Sequence, residues 1–267
     1  MRAACAIPFV ATALLGGCAS TSAFTARPAA EARTGSCEQR TAEVFAITGE
    51  IDAELSRCVR ETFAGSTLEL VLDSKGGSVE AALDIAEILE GRGLTMRVEG
   101  QCNSSCANYF LPLARQIEFS PRSIVLLHGS IDPWTIARFR SRKSEFMTLQ
   151  ARNGRSVEEA EIAFAASMAR TETTATRQAE FAQRHHVAPG WLLYRTPGSD
   201  DVPGLDPEPT RSRAILVEER MMRSCLPEVE IAPYQAALER RWLRSYRRLG
   251  LLWERIAPSG QTVCRPL

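Results

Sequence analysis

Three short segments of the chain carry groups that could perform hydrolytic chemistry. The first is Asp73-Ser74-Lys75-Gly76-Gly77-Ser78, whose two glycines let backbone N–H groups turn toward a ligand or an oxyanion. The second is Cys102-Asn103-Ser104-Ser105-Cys106, which opens a predicted helix and places serines beside its unpaired N–H donors. The third is His128, which ends an apolar run and could act as a general base.

Each of these features also has a structural explanation when it is taken alone. Many strand-to-helix turns contain a glycine pair, and a serine at a helix N-terminus is often only a cap. A single histidine at the end of a strand is more often structural than catalytic, although ligand sites form at that rim. The hypothesis of a catalytic site therefore depends on the order and spacing of all three segments.

The elements predicted around these segments alternate between strand and helix. Hydrophobic patterning predicts strands over 44–47, 68–72, 94–98, 117–119 and 123–127, and helices over 53–63, 79–89 and 104–113. Such alternation favours parallel pairing through right-handed crossovers.

The second half of the chain has a helical period over 136–152 and 157–186. Residues 197–209 are rich in Pro, Gly and Asp and predict a surface loop, whereas 215–222 is short and apolar at one end. A basic amphipathic helix is predicted over 234–256, and Gly250 could end it early.

The order and spacing of the three segments resemble the Clp protease proteolytic subunit, within the wider Clp/crotonase fold. That family has a Ser-Pro-Gly-Gly turn, a serine that opens a helix and a histidine that ends a later strand; here 24 residues separate Ser104 from His128. A closer match is a set of exported Clp-like proteins with Cys-x-Ser-Ala-Cys around the serine. In the present sequence Ser105 stands where those proteins have the alanine. The resemblance covers residues 44–130. It implies an α/β fold, a stacked β-α superhelix with mostly parallel strands, to which the later sequence would add a helical C-terminal extension.

The resemblance also implies roles for individual residues. Ser104 would be the nucleophile and His128 its general base, while Gly76 or Gly77, with the N–H of Ser105, would form the oxyanion hole. It implies a peptide or protein substrate, no cofactor and, because Clp subunits form rings, a possible homo-oligomer.

The sequence departs from the family pattern in three places. Lys75 replaces the usual proline, Gly129 follows the histidine, and the third catalytic residue, an acid, is not identifiable. The candidates for this acid near the expected distance or beyond it are Glu172, Glu180, Asp200 and Asp201.

Three functions remain open at this point. The first is a serine peptidase or amide hydrolase that works through Ser104 and His128. The second is a Clp-like fold without turnover that binds peptides or serves in assembly, which the missing acid favours. The third, a crotonase-like enzyme acting on acyl thioesters, is disfavoured because an exported protein would rarely meet coenzyme A.

The N-terminus predicts export and a lipid anchor. Arg2 precedes an apolar stretch over 3–15 that is too short to span a bilayer but fits a signal peptide. Leu15-Gly16-Gly17-Cys18 resembles the lipobox of bacterial lipoproteins, which implies cleavage before Cys18 and lipid on its sulfur. An ordinary signal peptide with a chance cysteine is the alternative. Ala19 after the cysteine favours the outer membrane, facing the periplasm.

The cysteine count agrees with an exported protein. Once Cys5 and Cys18 are set aside, six cysteines remain, and their even number predicts up to three disulfides in an oxidising compartment. Proximity in sequence, a weak guide, suggests the pairs Cys102–Cys106, Cys225–Cys264 and Cys37–Cys58. No cysteine or histidine spacing predicts a metal site. The 32 basic and 32 acidic residues cancel and give no support for a nucleic-acid partner.

Together these patterns predict four regions. They are a lipoprotein signal peptide over 1–17, a flexible tether over 18–40, a Clp-like α/β domain over 41–200, and a C-terminal loop and amphipathic helical extension over 201–267.

Overall fold

The protein folds as a mixed α/β structure in which helices pack on a mostly parallel sheet. The computed structural model describes residues 34–131, 133–193, 213–234 and 252–255. The strands of these residues are β1 (Ser36–Gln39), β2 (Val44–Ile51), β3 (Glu69–Gly77), β4 (Thr95–Asn103), β5 (Gln116–Phe119), β6 (Ile124–Leu127), β7 (Arg213–Leu216), β8 (Glu230–Ile231) and β9 (Leu252–Arg255). The helices are α1 (Ala53–Thr62), α2 (Val79–Leu89), α3 (Ser105–Tyr109), α4 (Pro133–Ser141), α5 (Lys143–Arg152), α6 (Val157–Arg184), α7 (Pro189–Leu193) and α8 (Glu219–Cys225), with a 3-10 turn over Leu111–Leu113.

The strands follow the order β1-β2-β3-β4-β6-β7-β9, with β5 beside β4 and β8 beside β5. Strands β2, β3, β4 and β6 run parallel, whereas β1 pairs antiparallel with β2, and β7 antiparallel with β6. The apolar runs that predicted strands form the buried centre of this sheet, for example Leu70–Leu72 in β3 and all of β6. The expectation of a mostly parallel α/β sheet is therefore confirmed.

Side-chain caps fix where the first two helices begin. The Asp52 carboxylate accepts the N–H of Leu55 at 2.8 Å and starts α1, and the Ser78 hydroxyl accepts the N–H of Ala81 at 3.2 Å and starts α2. Ser78 follows directly on β3, so the Gly76-Gly77 pair lies in the last residues of a strand, just before a helix.

Strand β4 pairs with two neighbours in turn. Its first half, Thr95 to Val98, lies beside β5, and its second half, Gln101 to Asn103, lies beside β6. Its register with β3 shifts between the two halves, and there the Asp73 carboxylate accepts the N–H of Gln101 at 3.0 Å. The second half of β4 is thereby directed alongside β6, the strand that ends at His128.

Helix α6 is the longest helix of the described residues. Its 28 residues begin at a capping box in which Ser156 and Glu159 exchange side-chain and backbone hydrogen bonds. Arg177 joins it to α2 through ion pairs with Asp84 at 2.7 Å and Glu87 at 2.8 Å. The single helix predicted over 136–152 is instead two helices, α4 and α5, which are interrupted at Arg142.

The predicted tether over 18–40 is wrong at its C-terminal end. Residues 36–39 form strand β1, which pairs with β2 and extends the sheet. A disulfide between Cys37 and Cys58, with sulfurs 1.97 Å apart, joins this strand to α1. The segment lacks hydrophobic periodicity because only alternate positions of an edge strand are half-buried.

The predicted helical C-terminal extension also needs correction. Among the described residues of 201–267, strands β7, β8 and β9 join the same sheet, together with the short helix α8. Residues 252–255, predicted as helix, form β9 and pair parallel with β7. The rest of the predicted helix, 235–251, lies outside the described residues, as does the predicted loop over 197–209. No helix in the described parts of the chain is both long and apolar enough to cross a membrane.

Candidate functional site

Ser104 occupies a strained turn between β4 and α3. Its backbone has φ 53° and ψ −125°, in the left-handed range of φ that costs a residue with a side chain about 1–3 kcal/mol. Its N–H donates to Leu126 O at 2.8 Å, and its carbonyl accepts the N–H of Asn108 at 2.8 Å. The Ser104 hydroxyl makes no capping bond to α3, so the purely structural role of an N-cap does not apply to it.

The neighbouring serine has a structural role. Ser105 is 1 % exposed, and its hydroxyl donates to Gly77 O at 2.8 Å across the gap between α3 and β3. The two serines, which composition cannot distinguish, therefore differ in structure: the Ser105 side chain is committed to the fold, whereas Ser104 is partly open to solvent.

The glycine pair lies directly against the Ser104 turn. Gly76 has φ 86°, and a Cβ at this position would lie 2.4 Å from Asn103 O and 2.7 Å from Ser104 Cβ. Only a residue without a side chain allows β3 to approach the turn this closely. The N–H of Gly76 donates to Ser74 Oγ at 3.1 Å and is therefore already engaged.

Gly77 is the better candidate for an oxyanion donor. The N–H and C=O of one residue in an extended strand point to the same side, and the Gly77 carbonyl faces α3 because it accepts from Ser105. The next N–H, that of Ser78, points the other way and donates to Ile51 O at 2.8 Å. As the first residue of α3, Ser105 has no helical partner for its N–H. Both residues lie against the Ser104 turn, Gly77 through its bond to the Ser105 hydroxyl and Ser105 as the residue that follows Ser104.

His128 follows the last residue of β6, beside the end of β4. Asn103 is paired with Leu126, so the parallel register places Ser104 beside Leu127 and His128 one step further along. Burial by the surrounding protein lowers the pKa of His128 below its ordinary 6.5, although part of the side chain is open to solvent. A hydrogen bond to its own backbone opposes this shift, and no charged group contributes to it. Within the described residues, no hydrogen bond joins the Ser104 hydroxyl to His128.

None of the expected acids with a described position reaches His128. Glu172 pairs with Arg140 at 3.0 Å, and Glu180 is exposed on α6. Asp200 and Asp201 lie outside the described residues.

A buried amide contacts the segment after His128. Gln178 on α6 donates from Nε2 to Ile131 O at 2.7 Å and accepts from the Tyr109 hydroxyl at 2.7 Å. The same hydroxyl lies 2.5 Å from Ser130 Oγ. Sequence reasoning missed these three side chains; the available signal was a glutamine on the apolar face of a long predicted helix.

A disulfide encloses the Ser104 turn. Cys102 and Cys106 are joined with sulfurs 2.06 Å apart and Cα atoms 5.2 Å apart, the pairing expected from their spacing. Cys225 is also disulfide-bonded, while its expected partner Cys264 lies outside the described residues. The described residues contain no cluster of histidine, cysteine or carboxylate side chains that could hold a metal ion.

Comparisons with known proteins add a weak structural similarity. No protein-family model matches the chain, and no curated protein matches it. Among solved structures, a point mutant of ClpP1 from Listeria monocytogenes is similar over 45% of this chain and 77% of its own, with 22% identity and a TM-score of 0.30. Similarity at this level says nothing about activity.

Proposed function

We propose that this chain is a serine hydrolase that cleaves peptide or amide bonds with Ser104 as nucleophile and His128 as general base. The observation that carries the proposal is the strained backbone of Ser104, at the tip of a strand-to-helix turn. Strain of this kind persists only where the surrounding structure enforces it, and here Gly76, the disulfide and two backbone hydrogen bonds do so.

The reaction would pass through an acyl-enzyme. The Ser104 oxygen attacks the substrate carbonyl carbon while His128 takes the hydroxyl proton, and the N–H groups of Gly77 and Ser105 stabilise the oxyanion. His128 then gives this proton to the leaving amine as the C–N bond breaks. Water attacks the resulting ester, His128 takes a proton from it, and the proton returns to Ser104 as the acid product leaves.

The described residues place no acid beside His128, and this affects the expected rate. Removal of the acid from a Ser-His-Asp triad lowers turnover by about 10⁴. Since no carboxylate of the described residues affects His128, we expect slow turnover of unactivated amides and easier reaction with activated acyl or phosphonyl groups.

A second function is a Clp-like module that binds peptides or assembles without turnover. The specific observation that favours it is the absence, within the described residues, of a hydrogen bond between Ser104 and His128. Catalytic hydrogen bonds often form only when substrate binds, so this geometry is compatible with both functions.

Labelling with a fluorophosphonate distinguishes the two functions. We expect Ser104→Ala and His128→Ala to abolish labelling of the purified mature protein. Ser105→Ala should retain most of it and lose about 1 kcal/mol of stability with the bond to Gly77. If wild-type protein does not label under any condition, the non-catalytic function is the better one. If Ser105→Ala alone abolishes labelling, the nucleophile is the other serine.

We propose further that the chain is a lipid-anchored envelope protein with a Clp/crotonase-like domain. The lipobox at Cys18 supports the anchor, and disulfides of the folded part agree with an oxidising compartment. The parallel strands and the order glycine pair, serine, histidine support the fold family. Cys18→Ser should leave an uncleaved or soluble form that no longer incorporates palmitate, and normal incorporation by this variant would refute the anchor.

A further inference from the structure

A buried hydrogen-bonded chain links the helix after Ser104 to the segment after His128. Tyr109, the last residue of α3, is fully buried, and Gln178 on α6 is 4 % exposed. The Tyr109 hydroxyl contacts Ser130 Oγ at 2.5 Å and Gln178 Oε1 at 2.7 Å, and Gln178 Nε2 contacts Ile131 O at 2.7 Å. These contacts join three parts of the chain that are distant in sequence: α3, α6 and residues 130–131.

The direction of each hydrogen bond is fixed by chemistry. The carbonyl of Ile131 can only accept, so the amide of Gln178 must present its NH₂ group there and its oxygen to Tyr109. Tyr109 must then donate to that oxygen, which leaves Ser130 to donate to Tyr109. Burial raises the pKa of Tyr109 well above its ordinary value, so the hydroxyl keeps its proton.

Three members of this hydrogen-bonded network lie close in sequence to the two proposed reacting groups. Tyr109 is on the short helix that Ser104 opens, while Ser130 and Ile131 follow His128 by two and three residues. Gly129, with φ 85°, lies between and offers little resistance to backbone movement. Within the part of the chain that the structure describes, no carboxylate orients the imidazole, and the contacts that hold the segment after it are those of Tyr109 and Gln178.

We infer that Tyr109 and Gln178 are positioning residues that hold the His128 segment at a fixed distance from Ser104. This inference rests on the proposed hydrolase function and assigns to a buried amide the orienting task that an acid has in a triad. The amide orients without a charge, so it fixes geometry but does not stabilise the imidazolium. It acts through the Ile131 carbonyl and, by way of Tyr109, through the Ser130 hydroxyl, not through the ring of His128.

The test compares Tyr109→Phe and Gln178→Leu with the control Thr174→Val. Thr174 is buried on the same helix, but its hydroxyl bonds to Arg170 O of its own helix at 2.8 Å and does not contact the His128 segment. Two quantities are measured well below the melting temperature of each variant. They are the rate of fluorophosphonate labelling and the pKa of His128 from an NMR titration, in which His128→Gln identifies its signal among three histidines.

We expect Tyr109→Phe and Gln178→Leu to lower the labelling rate by about tenfold to a hundredfold, since misplacement by about 1 Å can cost that much. The pKa of His128 should rise toward its ordinary value as the released segment becomes more hydrated. Thr174→Val should leave both quantities unchanged. Equal rates and an equal pKa in wild type and the two test variants would overturn the inference, as would the same losses in Thr174→Val.

The outcomes separate the inference from the proposed function. If wild-type protein does not label, the hydrolase proposal fails, and the NMR titration, which needs no turnover, decides whether Tyr109 and Gln178 hold the segment. If wild type labels and neither test variant changes the His128 pKa or the rate, only the positioning role fails.

Discussion

At the scale of single residues, Gly76 and Gly91 have similar positive φ angles but different surroundings. Their φ values are 86° and 71°, but a Cβ on Gly76 would lie 2.4 Å from Asn103 O, whereas Gly91 has nothing within 4 Å. Alanine at Gly91 should therefore cost about 1–2 kcal/mol, from backbone strain alone. Alanine at Gly76 adds a clash with backbone that cannot move without displacing Ser104.

We accordingly expect Gly76→Ala to abolish fluorophosphonate labelling and to be clearly less stable than Gly91→Ala. Denaturant unfolding gives the stability, and the labelling rate gives the effect on the site. Equal stability losses and retained labelling in both variants would show that the contact between Gly76 and the Ser104 turn is dispensable.

The lowered pKa of His128 sets the pH dependence of labelling. A general base acts when neutral, so the rate should rise with pH, reach half its maximum below pH 6.5 and remain level above that.

The pKa values of His128 and His185 are both lowered in the folded state, so the unfolded chain binds protons more readily as pH falls through about 6.5. These two histidines should therefore make the free energy of unfolding smaller at pH 5 than at pH 8. A rate midpoint above 6.5 would contradict the environment described for His128.

Sequence reasoning could predict the residues of the site that belong to local patterns. Ser104, His128 and the glycine pair were identifiable from spacing and resemblance. The structural task of the Ser105 hydroxyl was not, because it donates to Gly77, a residue 28 positions away in the sequence. Likewise, the bond from the Gly76 N–H to Ser74 Oγ, which leaves Gly77 as the candidate donor, lies where the register of β3 with its neighbours shifts, and no local pattern signals it.

At the scale of elements, two disulfides allow a controlled comparison. Cys102–Cys106 joins the end of β4 to α3 around Ser104, and Cys37–Cys58 joins β1 to α1 away from the site. The stabilisation that a disulfide gives through loop-closure entropy grows with the sequence separation of its cysteines, which is 4 for Cys102–Cys106 and 21 for Cys37–Cys58. The expected contribution to the free energy of unfolding is about 2 kcal/mol for the first bond and about 3 kcal/mol for the second.

Removing each bond by double alanine substitution should therefore separate stability from reactivity. We expect Cys37→Ala with Cys58→Ala to lose more stability but to keep its labelling rate. Cys102→Ala with Cys106→Ala should lose less stability and most of its labelling, because the strained turn can relax. If the labelling rate simply follows the melting temperature in both pairs, the bond at the site has no special role.

The elements that sequence patterns predicted are strands with a run of buried apolar residues and helices that begin at a capping side chain. Strands β2, β3, β4 and β6 and helices α1, α2 and α6 belong to this class. Strands β1 and β9 were missed because they exist through pairing with distant strands, β2 and β7, and carry little pattern of their own. In β9, apolar residues next to Gly250 fit a helix as well as a strand.

At the scale of the whole molecule, the C-terminal segment is part of the core. Leu216, Val217, Met222 and Ile231 are buried in the same fold as the first sheet strands, and β7 covers the edge of β6 beside His128. The predicted boundary at residue 200 therefore divides a single hydrophobic core.

A chain that ends at residue 200 should expose the edge of β6 and fail to give soluble, cooperatively folding protein. Solubility and calorimetric melting, each compared with the mature protein, measure this effect. A soluble form ending at residue 200 with an unchanged melting temperature would restore the predicted domain boundary.

The Cys102–Cys106 disulfide also has a consequence for timing. Protein thiols stay reduced in the bacterial cytosol and pair after translocation. On the proposal that the chain is exported, a molecule still inside the cell would have no cross-link around Ser104, and its turn would be free to relax. The oxidation that follows export would then be a maturation step of the proposed enzyme. Proteins of the compartment in which it is synthesised would be spared its activity.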